Sequence, residues 1–353
     1  MRALRLTKQS IKNQSPRTST LAAVFFLLAV VAVQVSATCS MEKDERNWIG
    51  SSLSTWKKIR SEQFKLGSAP TPWLLFFDRR CVLHINPDPS IIQTSEQPRS
   101  LKLSSEKLTL LAVGHAGSVK LPEKGEIPAQ LLSFAAPYGN GRSSYVVFAL
   151  PEFWRAAPHL ANANNIDVLT ISVFVHEMTH TMHRGYYAKL DEIENRMGAS
   201  IQIDDDIVQN TFAGNDEFSS SVNAEIKLLY EAARARDRSA GGSLARNALE
   251  RIKVRRSKYF IGDKAVFAEL EDIFLSMEGA ANWAAYRAAS AKGLSEEQAI
   301  QLIRRGGKYW SQDLGLAIHL VIARLLAEWE AKAFGVRPAT ALELLSEAVR
   351  KPQ

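Results

Sequence analysis

Residues 173–180 read Val-Phe-Val-His-Glu-Met-Thr-His, and the rest of the chain is organised around them. Ile171, Val173, Phe174 and Val175 lead into the stretch, no proline follows Pro158 until well past it, and the apolar periodicity predicts a helix over 166–184. On a helix, residues four apart share one face, so His176 and His180 can offer two imidazole nitrogens to one Zn²⁺. Glu177 stands beside the first of them. There it can take a proton from an attacking water without serving as a ligand, which is the division of labour that metal-assisted hydrolysis needs.

The ends of this helix carry their own signals. Asn164 or Asn165 is the expected N-cap, and Asp167 places negative charge in the first turn. Gly185, after His183 and Arg184, is expected to stop the helix as a C′ glycine. The β-branched content (Ile166, Val168, Thr170, Ile171, Val173, Val175) is high for a helix, so burial rather than propensity must stabilise it.

The run resembles the extended signature of the zincin metallopeptidases: Val173 is apolar three before the first His, uncharged Met178 and Thr179 fill the middle, and apolar Met182 closes it. The resemblance covers the motif helix closely and the remainder only by layout. It implies a peptidase whose catalytic zinc takes three protein ligands and leaves one position open. Metzincins supply the third as a His six residues after the second, where this chain has Tyr186. Other zincins use a Glu from a later helix, and the segment Ser276-Met-Glu-Gly-Ala-Ala-Asn282 resembles the Glu-Gly-x-Ala run that carries it. Glu278 is therefore the expected third ligand.

Its neighbours Phe274, Met277 and Ala281 are apolar, so the carboxylate lies on or beside a buried face, where a metal would remove the cost of an unpaired charge. Mid-helix Gly279 makes sense where something must approach closely. Such families often place Asp four residues on to orient a ligand His; here Asn282 can accept the same imidazole N–H bond without charge. Glu225 is the rival, flanking the stripe Val222, Ile226 and Leu229, and Asp204, Asp205, Asp206 and Glu217 are further candidates. His183 lies one turn beyond His180, either reaching the cleft to stabilise an oxyanion or satisfying helix-end carbonyls, and Tyr286 and Tyr230 are further candidate donors.

The N-terminus sets the compartment. Arg2, Arg5, Lys8, Lys12 and Arg17 with no acid, then apolar Leu21 to Val35 and Val-Ser-Ala, read as a secretory signal over residues 1–37 cleaved after Ala37. Retention as an uncleaved membrane anchor and lipidation of Cys39 are the alternatives; in each case the remainder is extracytoplasmic. Removing residues 1–37 takes away five positive charges and no negative ones, and the net charge falls from +7 to +2. The basic cluster Arg251, Lys253, Arg255, Arg256 and Lys258 reads as a solvated helix face, so no nucleic-acid partner is expected. Cys39 and Cys81 are the only cysteines; they can pair, restraining little beyond the terminus, but cannot build a Cys-rich zinc site.

Trp48, Ser52, Trp56, Ile59 and Gln63 predict an amphipathic helix over 43–66. Short apolar runs follow at Trp73–Phe77, Cys81–Ile85, Leu108–Val113, Leu131–Phe134 and Tyr145–Leu150, separated by turn residues; Gly139-Asn140-Gly141 makes the last two a hairpin. Beyond the motif helix, helices are expected over 217–237, 243–258, 264–290, 295–304, 308–334 and 338–350. The expectation is an α+β fold of zincin type: a small N-terminal sheet within 38–164 packed on the motif helix, then a helical lobe in 165–353. The resemblance also implies an edge strand that pairs with the extended substrate; Tyr145–Leu150 is the candidate, with an interior strand as the alternative. The expected activity is hydrolysis of peptide or protein substrates. A zinc amidase or esterase acting on non-peptides and an inactive zincin-fold binding protein are the alternatives, and intact Glu177 argues against the last.

Overall fold

Five consecutive apolar residues, Trp73–Phe77, are buried on both faces, which requires a strand sandwiched between two layers. The computed structural model describes residues 39–353 except 92–95, 104–105, 124, 140, 142, 161–164, 199–202 and 351–353. The secretory signal read over 1–37 lies outside the described residues. In chain order the strands are β1 Trp73–Phe77, β2 Cys81–Ile85, β3 Arg99–Leu103, β4 Glu106–Gly114, β5 Ser118–Lys120, β6 Glu126–Pro128, β7 Ser133–Tyr138 and β8 Ser143–Ala149. Six of them form one sheet in the order β3-β4-β2-β1-β8-β7, and β5 and β6 form a second. Among the described strands only the β1–β8 pair is parallel; the predicted β7–β8 hairpin is present, with Ala136 opposite Tyr145.

Alternation assigns each face of the sheet. Leu74, Phe76, Leu83, Val146 and Phe148 point to the main core, while Trp73, Leu75, Phe77, Tyr145 and Val147 meet Val119 and Ile127 of the small sheet. Against the main face lie α1 (Lys43–Lys58, continued by a π-helical turn Ile59–Gln63), the short α2 (Pro151–Ala156) and α3 (Ile166–His180). Trp48 of α1 joins the layers. Its ring sits 5.3 Å from Phe148 and 6.1 Å from Phe174, and its indole N–H donates to Thr170 Oγ1 at 3.2 Å.

The C-terminal part is helical: α4 Arg184–Met197, α5 Ile207–Phe212, α6 Asp216–Arg234, α7 Arg238–Tyr259, α8 Val266–Ala291, α9 Glu296–Arg304, α10 Trp310–Leu325, α11 Glu330–Ala333 and α12 Ala341–Arg350. One core runs from Trp48 through Phe174 to Val349, so the change of pattern near Asn164 is a change of secondary structure without a break in the core. The motif helix is buried on nearly every side, between the sheet and α8, and that burial holds its β-branched residues helical. Among the described residues no helix is long and apolar enough to cross a membrane.

Several expectations need correction. Strand β8 is interior, between β1 and β7, so the edge beside the motif helix belongs to β7. Asn165 is the N-cap of α3, but its backbone is left-handed (φ 69°) and its side chain makes no cap bond. Helix α3 ends at His180, and α4, absent from the sequence reading, begins at Arg184. Gly185 does not stop a helix; it sits in the first turn of α4, where a Cβ would collide with Pro338 and with the carbonyl oxygens of Gly335 and Val336 at 2.7 Å. The span read as one helix over 308–334 is divided between α10 and α11, with Glu328 at φ 57° between them. Cys39 and Cys81 are disulfide-bonded. The bond closes a loop of sequence separation 42 containing α1 and β1. By chain entropy such a loop is worth about 4 kcal/mol, more than a tether of the terminus alone.

Gly279 fixes how α8 meets α10. A Cβ there would lie 2.5 Å from Gly315 O and against the His319 ring, and one on Gly315 would lie 2.8 Å from Gly279 Cα. The helices cross glycine on glycine, so the close approach anticipated at Gly279 is to α10. We expect Gly279→Ala to destabilise the protein by about 1–3 kcal/mol or more through overpacking, read as a lower denaturant midpoint at unchanged m-value.

Candidate metal centre

Helix α3 lays His176 and His180 on one face, and α8 packs along that face, bringing Glu278 to them. The Nε2 atoms of the two rings are 3.0 Å apart; Glu278 Oε2 is 3.4 Å from His176 Nε2, and Oε1 is 3.3 Å from His180 Nε2. Among the described residues this is the group of His, Cys, Asp and Glu side chains whose donor atoms converge tightly enough to hold a metal ion. A tetrahedral ion with bonds of 2.0–2.1 Å spans ligand-to-ligand edges of about 3.3 Å. The spacing therefore fits a cation of zinc's size, and a donor set of two imidazoles and a carboxylate suits one of borderline softness.

The outer ring nitrogens support that fit. Asn282 Nδ2 donates to Gln312 O at 3.2 Å, which turns Asn282 Oδ1 toward His176 Nδ1 at 2.9 Å. An amide oxygen only accepts, so the proton of a neutral His176 sits on Nδ1 and the Nε2 lone pair faces Glu278. His180 Nδ1 lies 3.2 Å from His183 Nδ1. Ligation through His180 Nε2 requires this Nδ1 to carry the proton and His183 Nδ1 to accept it, which places the remaining His183 proton on Nε2. That atom is buried without a hydrogen-bond partner. His183 thus fits neither role read from the sequence. Its ring stacks on Phe334 at 5.5 Å and orients His180 from behind.

Electrostatics separate the carboxylates. Burial alone would raise the Glu278 carboxyl, but His180 and His176 outweigh it and hold it at about 2. Burial pushes His180 down to about 3; burial acts the same way on His176, but the Glu278 carboxylate outweighs it and raises that imidazole above its ordinary value. Glu177 is also buried, and burial raises its carboxyl above the usual range despite His176 and a hydrogen bond from Ser133 Oγ at 2.8 Å. A raised carboxyl is a better proton acceptor near neutral pH. Both groups line one cleft of about 1060 Å³, together with Ser133, Phe134 and Ala135 of the β7 edge, Tyr187, and Arg305 and Lys308 from the α9–α10 turn.

The rival carboxylates are placed elsewhere. Glu225 is buried against Arg255, whose Nε and Nη2 donate to its two oxygens at 2.8 and 2.9 Å. Arg255 Nη1 reaches Glu271 at 2.9 Å, and Arg256 bridges Glu271 and Asp272 at 2.7 and 2.9 Å. Glu217 pairs with Lys258 and Tyr259 at the surface, and of the three acids at 204–206 Asp205 alone lines the cleft. The basic run read as a solvated face is thereby corrected: Arg251, Lys253 and Lys258 are exposed, but Arg255 has no exposed side-chain surface. Tyr230 donates to Asp313 at 2.7 Å, and neither it nor Tyr286 lines the cleft. Ser133 and Tyr187, which the sequence reading missed, do. Their positions follow from the sheet edge and from α4, and no local pattern around either residue marks it.

No protein-family model matches the chain, and no curated protein or solved structure matches it.

Glu278 and Glu225 can be told apart in solution. Glu278→Gln is expected to weaken Zn²⁺ binding by at least the ten- to hundredfold typical of lost outer-sphere partners, with little loss of fold. Glu225→Ala leaves Arg255 buried beside a vacancy and should cost about 3–5 kcal/mol of stability at unchanged Zn²⁺ stoichiometry. Metal titration and chemical denaturation of both variants check this; the reverse pattern would move the site to α6.

Proposed function

We propose that this protein is an exported, zinc-dependent metallopeptidase of the Glu-type zincin class, with His176, His180 and Glu278 as ligands. The observation that carries the proposal is the convergence of two imidazole Nε2 atoms and one carboxylate within metal-ligating distance, at the wall of a cleft that also holds a buried Glu177. A buried two-histidine, one-carboxylate donor set with a neighbouring unligated Glu is the chemistry expected of a hydrolytic zinc site.

When bound, Zn²⁺ supplies Lewis acidity, polarising a carbonyl and lowering the pKa of water. The protein's own groups do the rest. Glu177 takes the proton of the attacking water and returns it to the leaving amine. Ser133 acts as a positioning residue, since its hydroxyl holds Glu177 Oε1 at 2.8 Å. Asn282 and His183 keep the ligand rings turned inward. Strand β7 is a sheet edge whose first residues line the cleft, so an extended peptide can add to it by backbone hydrogen bonds while its side chains meet Leu131, Phe134 and Val173. The cleft volume of about 1060 Å³ is at the upper limit for small-molecule pockets and suits a polymeric substrate better.

Export is part of the proposal. The basic n-region, the apolar stretch and the Val-Ser-Ala junction motivate it, and the Cys39–Cys81 disulfide agrees with an oxidising compartment. Mass analysis of the mature N-terminus should find Thr38; a full-length cytosolic protein would remove this part of the proposal.

Protein purified without chelator should carry about one Zn²⁺ per chain by elemental analysis. Glu177→Gln should retain that zinc and lose peptide hydrolysis by about 10²–10⁴-fold or more. Full activity of Glu177→Gln on every peptide the wild type cleaves would sink the mechanism.

A further inference from the structure

The α9–α10 turn, Arg304-Arg305-Gly306-Gly307-Lys308-Tyr309, brings cationic side chains to a cleft that is otherwise largely apolar around the triad. Its first arginine is engaged in the fold: Arg304 grips both oxygens of Asp313 at 2.7 and 2.8 Å. The second is different. Arg305 lines the cleft, and no ion pair joins it to a carboxylate among the described residues; its guanidinium is held by an amide, Nη2 donating to Gln312 Oε1 at 3.0 Å. Gln312 is the residue whose backbone carbonyl receives Asn282 Nδ2, and Asn282 orients His176. Arg305 is thus tied to the candidate metal-binding triad through two intervening residues.

The backbone adds to this. Arg305 ends α9 in the left-handed region, φ 46° and ψ 43°, with glycine in the next two positions. A left-handed conformation in a non-glycine residue is disfavoured and persists where the surroundings over-determine it. Lys308 lines the same wall. Gln312 occupies one of five guanidinium protons, leaving a fork that matches a carboxylate. On the cleft lining, Asp205 is the carboxylate that stands apart from Glu177 and the triad, and it already has an interaction of its own.

We infer that Arg305, with Lys308 beside it, is the specificity element of the cleft and selects substrates bearing a carboxylate near the bond cut, either an acidic side chain or the free end of a chain. The inference rests on the peptidase reading for what is cut, and on Arg305 and Lys308 for what is recognised. Because Arg305 is positioned through Gln312 and Asn282, a carboxylate seated on it has a defined distance from the triad, which is what a recognition group must provide.

The test uses four alanine-based hexapeptides that differ in two features: interior Glu or Gln, and a free or amidated C-terminus. Binding is measured by calorimetry on the zinc-loaded Glu177→Gln protein, which does not turn substrate over, and cleavage is measured on the wild type. Peptides with the recognised carboxylate should bind about ten- to a hundredfold tighter than the uncharged peptide. Adding Arg305→Gln, or Arg305→Gln with Lys308→Gln, should bring that ratio close to one at unchanged zinc content. The arm that carries the preference tells a side-chain carboxylate from a chain-end one. Equal binding of all four peptides, no binding of any, or a ratio that survives both substitutions overturns the inference. If wild type cleaves all four alike without dependence on Arg305, recognition fails and the peptidase reading stands. If the Arg305-dependent preference is present but no peptide is cleaved, the carboxylate site stands and the peptidase reading fails.

Discussion

Glu278 is ionised near the middle of a 26-residue helix that is buried along most of its length, with 7 % of its surface exposed. Removing the partner of a buried charge costs about 3–5 kcal/mol, so such a carboxylate needs compensating charge. The groups facing it are the Nε2 atoms of two imidazoles, whose Nδ1 atoms lie against Asn282 Oδ1 and His183 Nδ1. Neutral lone pairs do not compensate a carboxylate. A proton shared with an imidazole or a divalent cation does, and the three donors are spaced so that they could hold the cation. The packing of α3 along α8 brings these groups together, with the amide of Asn282 and the imidazole of His183 behind the two rings.

The same helix solves the problem a second way two turns earlier. Glu271 is buried as well, but Arg255 and Arg256 bring their guanidinium groups to it, and Glu225 shares Arg255. Where the chain supplies its own positive charge there is no room for a metal and no need of one. That difference, rather than burial or distance along the sequence, separates the candidate ligand from its rivals. The ion cluster ties α6, α7 and α8 together. Buried pairs of this kind contribute little net stability against an apolar replacement, while the loss of one partner is expensive.

Much of this was legible in the sequence because it is local. The strands from Trp73 and Cys81 and the β7–β8 hairpin follow from apolar runs bounded by turn residues, and the His-Glu-x-x-His face follows from helical geometry alone. Glu278 was legible through its apolar neighbours together with the resemblance of its segment to the Glu-type zincin run, and Asn282 through that same resemblance. Arg255 was misread because a basic run was judged by its charge, although Arg255 continues the buried stripe of Ala248 and Ile252, as Glu225 continues that of Phe218 and Val222. Opposite charges at core positions of two helices are a pairing signal. Gly185 was misread because a glycine after a helical stretch looks like a stop; its actual constraint comes from residues 335–338, about 150 positions away.

By itself the sequence determined the central strands, most of the longer helices, the face shared by His176 and His180, and the identity of the adjacent carboxylate, because each depends on local spacing, whereas it missed α4, α5 and the strands β3, β5 and β6. Tertiary structure alone decided which strand is the sheet edge, that Ser133 reaches Glu177 across 44 residues, that His176 rather than His180 is the ring Asn282 meets, and that Arg305 enters the cleft. Those outcomes depend on how α8 and α10 cross at Gly279 and Gly315 and on how β7 is placed beside α3. Such packing is settled by the fit of whole surfaces, which no short window of sequence contains.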